Sequence, residues 1–344
     1  MLPPARTPPR TLSARGRGSH EEEARERDGS VTSEVMGLEE EAGLVYRMAC
    51  ADDVPSVSRV FADAVNHLSE RHGFGGDPIS PLPPSPFLTF TLHDQPQGFW
   101  VAEDRGLVVG FSISRVYGPF WFLAYLFISP GYQGRGVGRA LLERALRHEA
   151  GSTITNRGLI TFAYNPASIS LYMKYGMYPR DSLYWMTGPS QGVRARHPAP
   201  ATGNLVKLGA DQAGLSSLAR VDENVIGFAR DRLHAYLLQA RGSSCYWFPG
   251  CGSGDGYAYI WANGRIGPLA ATDPSQFEVM MAAALSLGAA EEAEEAFCVV
   301  PGPNHRAVSL ALECGLRVSY PYLLMSARPF GHWERYVFHS PGLM

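Results

Sequence analysis

Apolar residues recur along this chain with two different periods, and the two periods divide it into strands and helices. Phe122 to Ile128 (FLAYLFI) is apolar or aromatic at every position, as a strand covered on both faces requires. Ser129-Pro130-Gly131-Tyr132 ends it, because Pro130 lacks a ladder donor and Gly131 admits unusual backbone angles. The period then changes. Val137, Leu141 and Ala145 recur every four residues, as do Gly138, Leu142 and Leu146, which predicts a helix with one side buried. Upstream, a strand at Val45–Ala49 precedes a helix capped by Asp52 or Asp53, with Val57, Val60, Phe61, Ala64 and Leu68 in helical register. A Gly/Pro-rich loop from Gly73 to Pro86, placed at the substrate entrance, leads to a short helix near Phe87–His93 and strands at Phe99–Ala102 and Leu107–Ile113. Downstream, Gly158–Tyr164 is a strand, Asn165–Gly176 a helix with Pro166 in its first turn, and Ser182–Thr187 a further strand.

The same order returns after residue 203. Leu205–Leu208 is a strand, Asp211 caps a helix, and Arg230–Ala240 is a second helix. Strands follow at Cys245–Phe248, Tyr257–Trp261 and Ile266–Ala270, then a helix over Pro274–Leu287 and a strand at Phe297–Val300. Asn304, Leu310, Gly315 and Leu316 then fall under Asn165, Leu171, Gly176 and Met177, while Ala311 replaces Tyr172. Gly188–Gly203 has linker composition and separates the copies. Residues 1–44 hold too few large apolar residues to offset the entropy of ordering, and are expected to form a disordered extension. Its Arg-rich, acid-free opening suits either a transit peptide or a start placed too far upstream, with Met36 the alternative. The expected organisation is a disordered 1–44, a domain at 45–187, a linker at 188–203, a domain at 204–330 and a tail at 331–344.

Composition narrows the function classes. A formal net charge of −3 argues against non-specific nucleic-acid binding, and no apolar run reaches the roughly 18 residues of a membrane span. Five scattered cysteines without a C-x-x-C pair fit neither a disulfide framework nor a zinc site, so no metal is expected.

The candidate chemistry lies at the strand-to-helix junction. A helix start offers unpaired N–H groups and positive potential, and glycines at 134, 136 and 138 let an anion approach the backbone. Arg135 and Arg139 add charge. The spacing G-x-G-x-G is not the dinucleotide fingerprint, and no G-K-[ST] follows as in a nucleoside-triphosphate loop. A plain packing turn is the alternative. The junction resembles the pyrophosphate loop of GNAT-family N-acetyltransferases, Q/R-x-x-G-x-G/A, carried by Gln133, Gly136 and Gly138. Asn165 to Met177 is similar to that family's second coenzyme A segment, and the order of elements from 45 to 187 is similar to its fold.

That resemblance implies an α/β protein of two GNAT-like domains, each a mixed central sheet flanked by helices. The second domain is expected to be degenerate, because Asp273-Pro274 stands where the glycine turn should be. It also implies acetyl-coenzyme A as co-substrate, with no metal. The backbone of Leu126, Phe127 and Ile128 would pair with its amide-bearing arm, and the amides of Gln133, Gly134, Arg135, Gly136, Val137, Gly138 and Arg139 would hold its diphosphate. Asn165 would bind the arm from the other side, or serve only as a helix cap. Tyr172 would donate a proton to the departing sulfur, or only pack. The acceptor would be a small-molecule or peptide amine, in a cytoplasmic protein without nucleic-acid or membrane partners. The second half would shape the substrate site or form a dimer interface. No general base is assigned: Gly118–Tyr125 holds no acid or His, and His67, His72, His93, Asp94, Glu103 and Asp104 read as surface residues. A protein that senses acetyl-coenzyme A without turning it over is the alternative.

Overall fold

A computed structural model of the chain describes residues 39–41, 43–74, 80, 86–149, 153–196, 205–249, 255–289 and 293–344. Most of the expected N-terminal extension, most of the Gly73–Pro86 loop and the later part of the expected linker lie outside these residues. The first half comprises β1 (Glu39–Glu41), β2 (Leu44–Met48), α1 (Val54–Arg71), α2 (Pro86–Asp94), β3 (Phe99–Asp104), β4 (Leu107–Tyr117), β5 (Phe120–Ile128), α3 (Val137–Leu146), β6 (Asn156–Phe162), α4 (Pro166–Lys174) and β7 (Tyr178–Pro189). After α5 (Ser190–Arg196) the second half runs through β8 (Val206–Leu208), α6 (Gln212–Val225), α7 (Asp231–Gln239), β9 (Ser243–Phe248), β10 (Gly256–Trp261) and β11 (Arg265–Ala271). It closes with α8 (Phe277–Gly288), β12 (Glu295–Pro301), α9 (His305–Glu313), β13 (Arg317–Ser326) and β14 (Tyr336–Val337).

The fold class is mixed α/β, as the sequence suggests. One 14-stranded sheet runs β1-β2-β3-β4-β5-β6-β13-β7-β12-β11-β10-β9-β8, with β14 attached to β11. Among the described residues, only β5–β6 and β11–β12 pair in parallel. From β2 to β8 the order is palindromic, each strand of one half answering its counterpart in the other. At the centre the closing strands have changed places. β13 of the second half pairs with β6 of the first, and β7 of the first pairs with β12 of the second. Neither half therefore completes its sheet from its own residues.

Helices cover both faces. Val137 and Leu141 of α3 pack on Tyr46, Trp100 and Val109 of the first half, and Phe277, Met281 and Leu285 of α8 pack on Ile266 and Leu269 of the second. A shared core joins Val57 and Phe87 to Leu218, Leu233, Tyr257 and Phe338, so the two halves meet in apolar packing.

Three segments differ from the sequence expectation. Glu39–Glu41, placed in the disordered extension, pairs with β2, and Arg144 reaches Glu39 at 2.8 Å. Residues 188–196, placed in the linker, are the end of β7 and α5; Val193 is fully buried beside α8, and the Ser190 N–H donates to Glu294 O at 2.9 Å. The segment 331–344, placed as a tail, is built into the core through Trp333, Tyr336, Val337, Phe338 and Met344.

Candidate active site

The site begins with a bulge. Ile113 faces Tyr125 and Ser114 faces Leu123 across β4 and β5, so Ala124 is the extra residue on β5. A bulge bends its strand, and here it turns β5 away from β6. The two strands pair only over Phe120–Leu123 and Asn156–Leu159, although β5 continues to Ile128 and β6 to Phe162. Beyond Leu123, that edge of β5 has no strand partner among the described residues. It offers a row of N–H and C=O groups to which an extended, amide-bearing ligand can add as a strand. Leu126, Phe127 and Ile128 lie on this edge and line a cavity of about 1650 Å³.

At the end of β5 the chain enters the glycine turn. The Gln133 side chain donates from Nε2 to Ile128 O at 3.0 Å, folding the turn onto the strand. Gly134 has φ 76° and Gly136, the N-cap of α3, has φ 88°. No atom would meet a Cβ at either position, so glycine is needed there for conformation rather than space. A Cβ at Gly138 would make ordinary contact with Ile128 and Leu171. The Ala140 N–H is bonded to Gly136 O, so the amides just before it lie in the first turn, ahead of any intrahelical acceptor. Gln133, Gly134, Gly136, Gly138 and Arg139 line the cavity. Arg135 and Val137 do not: the Arg135 guanidinium lies 5.2 Å over the Tyr132 ring, and Val137 is buried under the sheet. Arg139 pairs with Glu143 at 2.9 Å.

The opposite wall comes from α4. Asn165 caps the helix, its Oδ1 accepting the Ser168 N–H at 3.2 Å, and it also lines the cavity. Tyr172 is buried on the cavity wall; burial pushes its phenol well above the ordinary range, opposed by a hydrogen bond with the Ser168 side chain.

The second half repeats this geometry with a different outcome. β11 and β12 pair only at Arg265–Ile266 and Phe297–Cys298 before parting. β14 enters the gap: Val337 and Tyr336 pair with Leu269 and Ala270, and the Phe338 N–H donates to Val299 O at 2.9 Å. Asn304, the counterpart of Asn165, caps α9 through Oδ1 and donates from Nδ2 to Tyr336 O at 3.1 Å. One asparagine thus serves both as helix cap and as anchor for an inserted extended strand. The second gap is closed by the chain itself.

The cavity continues from the first gap into the space between the halves. Its wall there includes Tyr236 of α7, Trp261 of β10, Arg265 of β11 and His339–Leu343. Trp185 of β7 and Tyr320 of the exchanged β13 also contribute. Arg265 Nη1 lies 3.2 Å from both ring nitrogens of His339. Burial, followed by the Arg265 charge, holds His339 well below its ordinary range and therefore neutral. Among the candidate bases, Glu103 pairs with Arg47 at 2.7 Å and Asp104 accepts from Tyr132 at 2.6 Å, away from the cavity. His67 and His72 line it, as does Asp94, whose oxygens are taken by Arg115 at 2.5 Å and Arg232 at 3.1 Å. Arg265, His339 and Trp185 were not singled out by sequence reasoning. Nothing in their local pattern distinguishes them from a turn arginine, a tail histidine and a strand tryptophan.

No group of three or more His, Cys, Asp or Glu gathers as metal ligands among the described residues. Burial pushes the Cys298 thiol up to about 12, as befits a packed rather than a reactive cysteine. No helix among the described residues is long and apolar enough to cross a membrane.

Comparison with known proteins agrees with this geometry. Residues 63–177 match the model of the acetyltransferase (GNAT) family, a segment running from α1 to α4 that contains the glycine turn, Asn165 and Tyr172. A mycothiol acetyltransferase of Streptomyces avermitilis is 34% identical over 96 residues, 26% of this chain and 30% of that one. One of Frankia casuarinae is 31% identical over 111 residues, 28% of this chain and 32% of that one. The matches thus span about a third of these relatives' length. A putative acetyltransferase from Pyrococcus horikoshii superposes with a TM-score of 0.69 at 19% identity, covering 89% of this chain and 97% of that one. A GCN5-related N-acetyltransferase from Sphaerobacter thermophilus gives 0.58 at 15% identity, covering 84% and 98%. At such identities the likeness establishes the fold. Residues 63–177 are thus similar to the GNAT family of acetyltransferases, and the chain shares its fold with these two structures.

Proposed function

We propose that this chain is an acetyl-coenzyme A-dependent N-acetyltransferase that passes the acetyl group to a primary amine by direct attack in a ternary complex. One observation carries the reading: the bulge at Ala124 opens β5 from β6 and leaves a free ladder edge that runs into the glycine turn at the start of α3. The residues fit the donor. An edge of backbone amides suits its amide-bearing arm, and a helix start with two glycines at positive φ suits its diphosphate.

Bound there, acetyl-coenzyme A supplies the thioester. Leu126, Phe127 and Ile128 hold its arm by main-chain hydrogen bonds, and Gln133, Gly134, Gly136, Gly138 and Arg139, which line the cavity, receive its diphosphate. Asn165 binds the arm from the α4 side; the contact of Asn304 with Tyr336 in the second half supports that role. Backbone donors of β5 stabilise the oxyanion as the amine attacks. Tyr172 gives its proton to the departing sulfur, and burial keeps the phenol protonated until then. An acceptor that arrives as the neutral amine needs no base to activate it; after attack its nitrogen sheds one proton, which restores the Tyr172 phenol, so that amide and thiol are the products.

With the second gap filled by β14, each chain binds one donor. Calorimetry with acetyl-coenzyme A should therefore give one equivalent per chain, and free-thiol release should appear with an amine panel. Binding without turnover of any amine would favour an acetyl-coenzyme A sensor; two equivalents, or none, would refute the site.

A further inference from the structure

We propose that the acceptor is an amine with an apolar or aromatic body and a carboxylate, and that Arg265 receives the carboxylate. The proposal rests on the acetyltransferase reading and names the substrate class of the same site. Five arginines line the cavity, Arg71, Arg139, Arg232, Arg241 and Arg265, against one carboxylate, Asp94, among the described residues. Four are accounted for. Arg139 stands at the glycine turn with Glu143, Arg232 shares Asp94, and Arg71 and Arg241 are exposed to solvent.

Arg265 differs. Its guanidinium lies 5.1 Å over the Phe297 ring and 5.9 Å over that of Trp185, which accounts for the planar group but not for its charge. Among the described residues, Nη1 meets only the His339 ring nitrogens, at 3.2 Å, and the buried Nε–H has no hydrogen-bond acceptor. No carboxylate among the described residues pairs with it. An enclosed cation without an anion is costly, and a guanidinium edge is shaped for the two oxygens of a carboxylate.

Its place suits the reaction. Arg265 and Tyr125 line the same cavity, and Tyr125 directly precedes the edge of β5 assigned to the donor arm. An acceptor anchored there would present its amine towards the gap. Trp185 lies beside Arg265, and Tyr125, Tyr236 and Trp261 line the same cavity, aromatic surface suited to an apolar body. Polycationic acceptors such as polyamines would bring like charge to this wall.

The test uses product-like probes on the coenzyme A complex of the full chain. N-acetyl-phenylalanine, N-acetyl-tyrosine, N-acetyl-tryptophan and N-acetyl-leucine are each titrated beside the decarboxylated counterpart. At least one acid should bind about tenfold or more tighter than its counterpart. Arg265→Gln should lose about tenfold for that acid and little for the counterpart, and Arg265→Lys should retain part of the difference. Unchanged coenzyme A affinity in both variants shows that they are folded. The proposal is overturned if none of the four acids binds, if acid and counterpart bind alike, or if Arg265→Gln makes no difference. Failure of the wild-type chain to bind coenzyme A would instead bring down the acetyltransferase reading itself.

Discussion

Asp222→Asn should unfold this protein far more easily than any surface substitution. Asp222 on α6 is fully buried, and its two oxygens accept four hydrogen bonds. Arg230 donates from Nε at 2.7 Å and from Nη2 at 2.9 Å, Tyr257 from its hydroxyl at 2.5 Å, and His234 Nε2 lies at 2.8 Å. Arg230 is buried too, and it also donates to the main-chain oxygen of Met344. Replacing the carboxylate by an amide leaves the guanidinium as an uncompensated buried charge, which costs about 3–5 kcal/mol. At roughly 2–4 °C per kcal/mol for a chain of a few hundred residues, Tm should fall by about 10 °C. Tyr257→Phe removes one donor and leaves the ion pair, so its loss should be smaller, about 1.5–3 kcal/mol. Thermal and urea unfolding followed by circular dichroism would measure both. An Asp222→Asn protein within about 1 kcal/mol of wild type would refute the reasoning, since no buried charge would then depend on the carboxylate. The pH dependence follows in sign. Arg230 and His234 hold the Asp222 carboxyl well below its ordinary range against the opposing effect of burial. Its stabilisation is therefore fully present above the unfolded-state pKa of about 3.9 and is lost as pH falls towards the folded value. The acid limb of the stability curve should be shallower in Asp222→Asn.

Tyr172→Phe should bind acetyl-coenzyme A normally and lose about 100-fold in kcat, measured by thiol release; unchanged turnover would remove the proton-donor role. Gly136→Ala forces an L residue to φ 88° at a cost of about 1–2 kcal/mol, so calorimetry should show weaker acetyl-coenzyme A binding. Asn165→Ala and Asn304→Ala should each lose about 1 kcal/mol of stability as caps, seen in urea unfolding. Only Asn165→Ala should raise the KM for acetyl-coenzyme A; an equal rise in Asn304→Ala would contradict the separate roles of the two gaps.

The sequence by itself determined most of the elements of the first half, including the strand, turn and helices of the candidate site. The unbroken apolar run of β5, the four-residue period of α3, the glycines between them and the Asn165–Gly176 helix are local patterns. Local patterns dictate local structure, since period selects the element and turn residues select the backbone angle. Local signals also supplied most of the second-half elements, including the cap at Asp211 and the asparagine at 304. Only the tertiary structure decided the rest. The exchange of β7 and β13 depends on pairing between strands more than 100 residues apart, and a strand's sequence does not name its neighbour. Tyr336–Phe338 reads as a short apolar piece of tail, and only the gap between β11 and β12 makes it a strand. Arg265 follows Asn263-Gly264 and reads as an exposed turn residue; its aromatic stacking and missing counter-charge appear only when β7, β12 and His339 close around it. In the first half the free edge at Ala124–Ile128 was foreshadowed by the glycine turn, but its opening rests on the bulge at Ala124, where two strands disagree in length by one residue. Pairing and charge compensation are relations between distant segments, and a single chain read in order carries no local mark of either.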